Sequence, residues 1–354
     1  MTKYEYYVSS RVMFGAGRTR EIGLILKQYN QHGNIMLVTD SGGWVEPLIK
    51  ELEISLYQEG FKSIVKYNAI SPNPKMSECI RGIEIAKENK SSIFIALGGG
   101  SILDAAKKIA KDCEAKFFIT IPTTAGTGSH INEWSVLIKD ENSEKISLQN
   151  IPANIALLDP IATVSMPPVT TLFTGLDSFS HGMEAYFGTG ASILTDMQSL
   201  KGCQMVVENI QSAMEDGNNI EVRSRILEAD LLTGNAMLNA GLGILHCIAN
   251  IVPGFYPDYS HGYICASLLK ATAEFNKEAI SQEKRQQMLP LVEKISNIFE
   301  NAIKKYDIKP VTIDNGHLQT IKKIGAANVN GKTNPKKVTE DAVEKLMRDS
   351  FLIT

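Results

Sequence analysis

Ser92-Ile93-Phe94-Ile95-Ala96-Leu97-Gly98-Gly99-Gly100-Ser101 is the stretch that decides how this chain folds. A short apolar run of this kind reads as a strand buried on both faces of a parallel sheet. The glycines close the strand and open a helix predicted over Ile102–Cys113. Consecutive glycines let a phosphate approach the backbone closely, and a helix N-terminus offers unpaired N–H groups and partial positive charge. A tight strand-to-helix turn without any ligand would use the same residues, and the run is not the G-x-G-x-x-G dinucleotide fingerprint.

Outward from this turn the alternation repeats. Upstream, Arg11–Gly17 reads as a strand entering a glycine turn, followed by a helix over Thr19–Tyr29. Asn34–Asp40 is a buried strand ending in an acid, Val45–Glu59 a helix, and Ser63–Tyr67 a further strand. Ser71-Pro72-Asn73-Pro74 interrupts any regular ladder or helix, and Lys75–Lys90 is helical. Downstream, Phe117–Ile121 is a strand running into Pro122-Thr123-Thr124-Ala125-Gly126-Thr127-Gly128-Ser129. Strands alternating with helices predict right-handed βαβ units and a doubly wound parallel sheet of the α/β class. Small hydroxyl residues and glycines at a strand's C-terminal end suit a ligand in the crevice of such a sheet. Asp40 could accept hydrogen bonds from a ribose 2′-hydroxyl, or be a solvated turn acid.

Ala156-Leu157-Leu158-Asp159-Pro160 reads as the last strand of this region, and Met166-Pro167-Pro168 blocks its continuation. A domain boundary is therefore expected near residue 162. Residues 1–162 form the α/β domain, and 163–354 an all-helical one. Helices are predicted in the second part over Thr171–Gly188, Leu194–Met214, Val222–Leu238 and Gly243–Ile251. A net charge of −3 gives no electrostatic case for nucleic acid or an anionic membrane. No uncharged apolar run reaches membrane-spanning length, and the first residues carry no apolar signal core. The five scattered cysteines form no C-x-x-C pair and suit reduced core thiols, which points to a cytoplasmic protein.

The second part carries the chemistry. In Thr174-Gly175-Leu176-Asp177-Ser178-Phe179-Ser180-His181-Gly182-Met183-Glu184-Ala185-Tyr186, Asp177 and His181 stand four residues apart on one helix face. Such a pair can hold two corners of a metal ion, or simply hydrogen-bond near a helix start. Ala240-Gly241-Leu242-Gly243-Ile244-Leu245-His246 and Tyr259-Ser260-His261-Gly262 add two more imidazoles. Together these stretches resemble the iron-containing (group III) alcohol dehydrogenase family. Its pattern reads roughly T-G-x-D-A-x-x-H-x-x-E-A-Y, then N-A-x-x-G-x-x-H-x-x-x-H, then H-G. The likeness runs from about residue 10 to residue 350.

That resemblance implies that Asp177, His181, His246 and His261 hold a divalent metal. Iron(II) is the family's metal, although zinc, manganese and nickel accept the same ligand types. The family's G-G-G-S-x-x-D-x-A-K is matched from Gly98, Gly99, Gly100 and Ser101 through Asp104 to Lys107. Its P-T-T-A-G-T-G-S is matched at 122–129 by Thr123, Thr124 and Thr127 among others. In relatives these turns hold the pyrophosphate and nicotinamide ends of NAD(P). Asp40 then falls on the ribose and favours NAD over NADP, and Lys145 loosely matches a lysine near the cofactor. The implied reaction is hydride transfer between NAD(P)(H) and a primary or secondary alcohol or aldehyde, and the implied assembly is a homo-oligomer, commonly a dimer.

Two departures concern proton handling. A second His usual in the family is Asn250 here, which can hydrogen-bond but cannot exchange a proton near neutrality. The usual Glu after T-G-S is His130, an alternative catalytic relay or a structural residue. The loop Phe255-Tyr256-Pro257-Asp258-Tyr259-Ser260 is one residue longer than the common form, and its polar aromatics hint at a hydroxylated substrate such as a sugar or keto-deoxy acid. The 3-deoxy-octulosonate 8-oxidase branch also lacks the second His. A sugar-phosphate cyclase like dehydroquinate synthase is the alternative enzyme class, but residues 174–187 and 240–262 contain no Lys or Arg to hold a phosphate. A degenerate, non-catalytic relative would have no reason to keep four ligands.

Overall fold

The structure, a computed structural model, describes residues 3–141 and 145–354; Met1, which opens the chain, and Ser143 and Glu144 before Lys145 lie outside the described residues. The chain divides into two compact units. The first comprises Val8–Met166 and Gly217–Leu227. The second comprises the chain up to Tyr7, Pro167–Asp216 and Glu228–Thr354.

In the first unit the elements run β1 (Arg11–Phe14), α1 (Ile22–Gln28), β2 (Asn34–Thr39), α2 (Glu46–Gln58), β3 (Ile64–Tyr67) and α3 (Met76–Glu88). They continue as β4 (Ser91–Gly98), α4 (Gly100–Asp112), β5 (Phe117–Pro122), β6 (Trp134–Ile138), β7 (Lys145–Gln149) and β8 (Ile155–Leu158). Six strands form one parallel sheet in the order β1-β8-β5-β4-β2-β3. Alternate side chains separate two cores, as the period of a strand requires. Ile35, Leu37, Ile93, Ile95, Ile119 and Ile121 pack with α1 and α2, while Met36, Val38, Phe94, Ala96 and Phe118 pack with α3 and α4. Helices on both faces bury every central strand, which explains the unbroken apolar runs.

The chain turns outward from β2 to β3, then returns to place β4 on the other side of β2. The topological switch point is therefore between β2 and β4, where open α/β sheets bind ligands beyond the strand ends. Register pairs Thr39 with Leu97 and Gly98 with Pro122. Asp40, the Gly98–Gly100 turn and Thr123 are thus brought side by side at one end of the sheet. A hairpin not anticipated from the sequence, β6 antiparallel to β7, forms a separate two-stranded sheet.

The second unit contains α5 (Pro168–Phe187), α6 (Ile193–Glu215) and the part of α7 (Ile220–Ala240) beyond Leu227. After them come α8 (Ile244–Ala249), α9 (Val252–Phe255), α10 (His261–Asn276) and α11 (Gln282–Lys305). The chain ends with β9 (Thr312–Ile313), α12 (Asn315–Ala326), α13 (Glu340–Ser350) and β10 (Leu352–Ile353). The all-helical expectation is amended by one short parallel pair, β9 with β10, whose two residues each carry no period to read. Residues 175–187 of α5 are all buried, so this helix is the axis of the unit. The N-terminal stretch joins the same unit: Tyr7 N–H donates to Asn239 Oδ1 at 2.6 Å, and Asn239 Nδ2 donates back to the Tyr7 carbonyl at 2.9 Å.

Candidate metal centre

Asp177 and His181 lie one turn apart on α5, and α8 and the first turn of α10 bring His246 and His261 to them. Asp177 Oδ1 is 3.7 Å from Nε2 of His181, 3.7 Å from Nε2 of His246 and 3.4 Å from Nε2 of His261. These separations exceed hydrogen bonds, and Oδ1 is buried without a hydrogen-bond partner. The histidine–carboxylate spacing has a simple reading. Two donors each about 2.1 Å from one ion and at the tetrahedral angle stand about 3.4 Å apart.

The tautomers agree. His246 Nδ1 lies 2.7 Å from Glu184 Oε2, and His261 Nδ1 lies 3.1 Å from the Ala249 carbonyl. Both partners accept, so each Nδ1 carries a hydrogen and each ring turns its Nε2 toward Asp177, where it holds a proton or offers a lone pair to a metal. Three Nε2 atoms gathered on one carboxylate oxygen call for positive charge among them. The protonation preferences state the same demand. Burial opposes charge on Asp177, yet His181 and His261 hold its carboxyl well below the usual range. Burial likewise opposes a proton on His261, but Cys265 and Asp177 push its pKa up to about 10, and His246 is raised well above its ordinary value. Protons or a metal can supply that positive charge, and the donor set fits a divalent ion.

Two participants escaped the sequence reading. Glu184 accepts from Gly243 N–H at 2.9 Å, from Leu245 N–H at 2.7 Å and from His246 Nδ1, so one carboxylate caps α8 and orients the ligand at its third residue. The spacing 177, 181, 184 on a single helix face was the available signal. Cys265, read as a core thiol, lies one turn after His261 on α10; its Sγ, Asp177, His246 and His261 offer donor atoms all within 4.8 Å of one another. His261 is positioned by its neighbours. A Cβ on Gly262 would sit 2.3 Å from the Phe173 carbonyl, so only glycine lets α10 start against α5. The preceding loop is anchored where Tyr256 OH donates to Asp314 Oδ2 at 2.6 Å and Tyr259 OH accepts from Thr312 N–H at 3.1 Å. Asn250 closes α8 one turn beyond His246, half-buried, with its N–H on the His246 carbonyl at 3.2 Å.

The remaining candidates are in the first unit. Gly98, Gly99, Gly100 and Ser101 form the β4–α4 turn, against which the Thr123–Thr127 turn packs: Thr123 N–H donates to the Gly98 carbonyl at 3.0 Å. A Cβ at Gly100 would meet Thr127 Cγ2 at 2.8 Å, and one at Gly99 would meet Thr124 Cγ2 at 3.3 Å. Asp40 Oδ1 accepts from Gly42 N–H at 3.0 Å in a turn directly beyond β2.

Asp104 has another part. Its carboxylate accepts from Lys107 Nζ at 3.2 Å, Ser129 Oγ at 2.5 Å and Val136 N–H at 2.8 Å, which ties α4 to the β6–β7 hairpin. Lys145 opens β7, and burial pulls its ammonium down to about 8 despite the opposing charge of Asp104. His130 is fully buried, and burial with the Lys107 charge pushes its pKa down to about 3. That environment favours the neutral imidazole at neutral pH.

The iron-containing alcohol dehydrogenase model matches residues 9–160, and the C-terminal model of the same Fe-containing family matches residues 171–351. The chain belongs to the iron-containing alcohol dehydrogenase family. It is 30% identical over 300 residues to alcohol dehydrogenase 4 of Saccharomyces cerevisiae (strain YJM789), covering 79% of this chain and 78% of that one. It is 32% identical over 278 residues to the 1-propanol dehydrogenase PduQ of Citrobacter freundii, covering 77% and 73%. A crystal structure of 1,3-propanediol oxidoreductase superposes with a TM-score of 0.89 over 99% of this chain and 100% of that one, at 23% identity. Like its relatives, this member of the iron-containing alcohol dehydrogenases is an oxidoreductase acting on alcohols, which removes the cyclase and non-catalytic alternatives.

Proposed function

We propose that the chain interconverts a short primary alcohol, or a diol, and its aldehyde with NAD(H), at a divalent ion held by Asp177, His181, His246 and His261. The carrying observation is the buried, unsatisfied Oδ1 of Asp177 facing three imidazole nitrogens at 3.4–3.7 Å. When bound, such an ion supplies a Lewis acid that lowers the pKa of an alcohol hydroxyl or polarises a carbonyl. Glu184 and the Ala249 carbonyl hold His246 and His261 in the tautomer that keeps Nε2 available. Asn250 can hydrogen-bond without taking a proton, so the hydroxyl proton departs to water or to another side chain.

For the cofactor, the N-terminus of α4 and the Gly98–Gly100 backbone receive the pyrophosphate, and Thr123, Thr124 and Thr127 contribute from the adjoining turn. Asp40, beyond β2 at the switch point, accepts from the ribose 2′-hydroxyl and disfavours a 2′-phosphate, so NAD is preferred. Lys145 adds positive charge on the hairpin side. The short-alcohol assignment is supported by the names of the 1-propanol and 1,3-propanediol relatives. We place the enzyme in the cytoplasm as a homo-oligomer; no single helix among the described residues is long and apolar enough to cross a membrane.

The test is metal content after anaerobic purification, measured by inductively coupled plasma mass spectrometry. About one iron or zinc per chain is expected, falling to nearly none in Asp177→Ala together with NAD-linked turnover. A fully active, metal-free preparation would overturn the reading.

A further inference from the structure

Cys265 is not needed by the four-ligand set, yet it faces that set. Its Sγ lies 3.4 Å from His261 Nε2 and 3.9 Å from His246 Nε2. The thiol is buried, and α10 places it one turn after His261, on the same helix face. Cys265 Sγ, Asp177, His246 and His261 offer donor atoms all within 4.8 Å of one another. The Glu184 and Ala249 contacts hold Nδ1 of both rings outward, so both Nε2 atoms point at the thiol and at Asp177 Oδ1, which is buried without a hydrogen-bond partner. The separations are those of shared coordination. A sulfur about 2.3 Å and a nitrogen about 2.1 Å from one ion, at the tetrahedral angle, stand about 3.6 Å apart.

We propose that Cys265 is a further ligand of this metal centre, its thiolate binding the ion beside Asp177, His246 and His261, and that the site consequently takes zinc in preference to iron(II). The inference rests on the metal reading above. A thiolate is a soft donor that favours zinc over harder ions at otherwise similar sites, and zinc already follows iron in the general affinity order. A further negative ligand also lowers the net charge of the occupied site, which makes the ion a weaker Lewis acid. His181 Nε2, 3.7 Å from the same carboxylate oxygen, stays among the ion's ligands.

The experiment is zinc K-edge X-ray absorption on the full-length chain, stripped of metal and reloaded with one equivalent of zinc under anaerobic conditions. The expected spectrum has a sulfur shell at about 2.3 Å beside nitrogen and oxygen at about 2.0–2.1 Å. In Cys265→Ser the sulfur shell is lost while zinc still binds, and the zinc-to-iron ratio taken up from an equimolar anaerobic mixture falls. A wild-type spectrum containing only nitrogen and oxygen scatterers would overturn the thiolate ligand while leaving the four-residue metal site standing. Failure of the wild-type chain to take up any zinc or iron would overturn both. The wild-type spectrum decides the point by itself, whether or not the serine variant folds.

Discussion

Glu184 shows how one side chain can serve both fold and site. Its carboxylate satisfies the Gly243 and Leu245 amides and fixes the His246 ring, so it ties the start of α8 to the ligand that α8 carries. Glu184→Gln keeps the size but removes the charge and one acceptor. Metal affinity is expected to fall about 10–100-fold, read by competition with a chelator; unchanged retention would show that His246 needs no orienting partner. His130 has the opposite character. Burial pushes its pKa down to about 3, whereas an unfolded histidine titrates at about 6.5. The unfolded chain therefore binds a proton that the native one refuses in this interval. The stability involved is complete above about pH 6.5 and drains as pH falls toward about 3, by about 1.4 kcal/mol per pH unit. His130→Gln is expected to flatten the loss of urea midpoint on acidification from about pH 6.5 to about 4.5. An unaltered slope would mean that His130 reaches solvent.

At the scale of elements, the β6–β7 hairpin is held to α4 by a buried polar network. Lys107 is fully buried and donates to Asp104, to Asn132 Oδ1 at 3.1 Å and to the Trp134 carbonyl at 2.5 Å. Removing one partner of a buried ion pair leaves the other charge uncompensated. Asp104→Ala is thus expected to destabilise the chain by about 3 kcal/mol in urea unfolding, with no change in NADH affinity under native conditions. A chain of normal stability that has lost NADH binding would return Asp104 to the cofactor site that its motif suggested. The hairpin itself was illegible in the sequence. β6 does alternate in burial, but one of its two buried positions is Ser135, so no apolar alternation marks it, and its role comes from partners on a helix more than twenty residues earlier.

For the molecule as a whole, the residues proposed for cofactor and for metal fall in different compact units. Their losses should separate. In Gly100→Ala the new methyl would press on Thr127 Cγ2; NADH Kd is expected to rise at least about tenfold, worth about 1.4 kcal/mol, with metal content intact. Asp177→Ala is expected to lose metal and keep NADH binding. Both variants would be read by NADH fluorescence titration beside metal analysis, and loss of NADH binding in Asp177→Ala would contradict independent sites. The division into units also departs from simple chain order, because the stretch through Tyr7 pairs with Asn239 and Gly217–Leu227 clusters with the first unit. Each of these choices joins segments far apart in the chain within one unit.

What the sequence determined by itself was whatever local pattern encodes. The apolar runs at 34–39, 92–97 and 117–121 could be buried only as strands covered on both sides, and the glycine turn after Leu97 had to start a helix. The four metal-ligand candidates were visible through motif resemblance, each in its own short stretch. Tertiary structure alone decided the strand order and its switch point between β2 and β4, because pairing of parallel strands joins residues far apart in the chain. It also decided that Glu184 would orient His246, that Asp104 would brace a hairpin, and that Cys265 would face the carboxylate of Asp177. Spacing along a helix states which side chains share a face. What that face meets is set by the packing of other helices against it, and no local pattern carries that information.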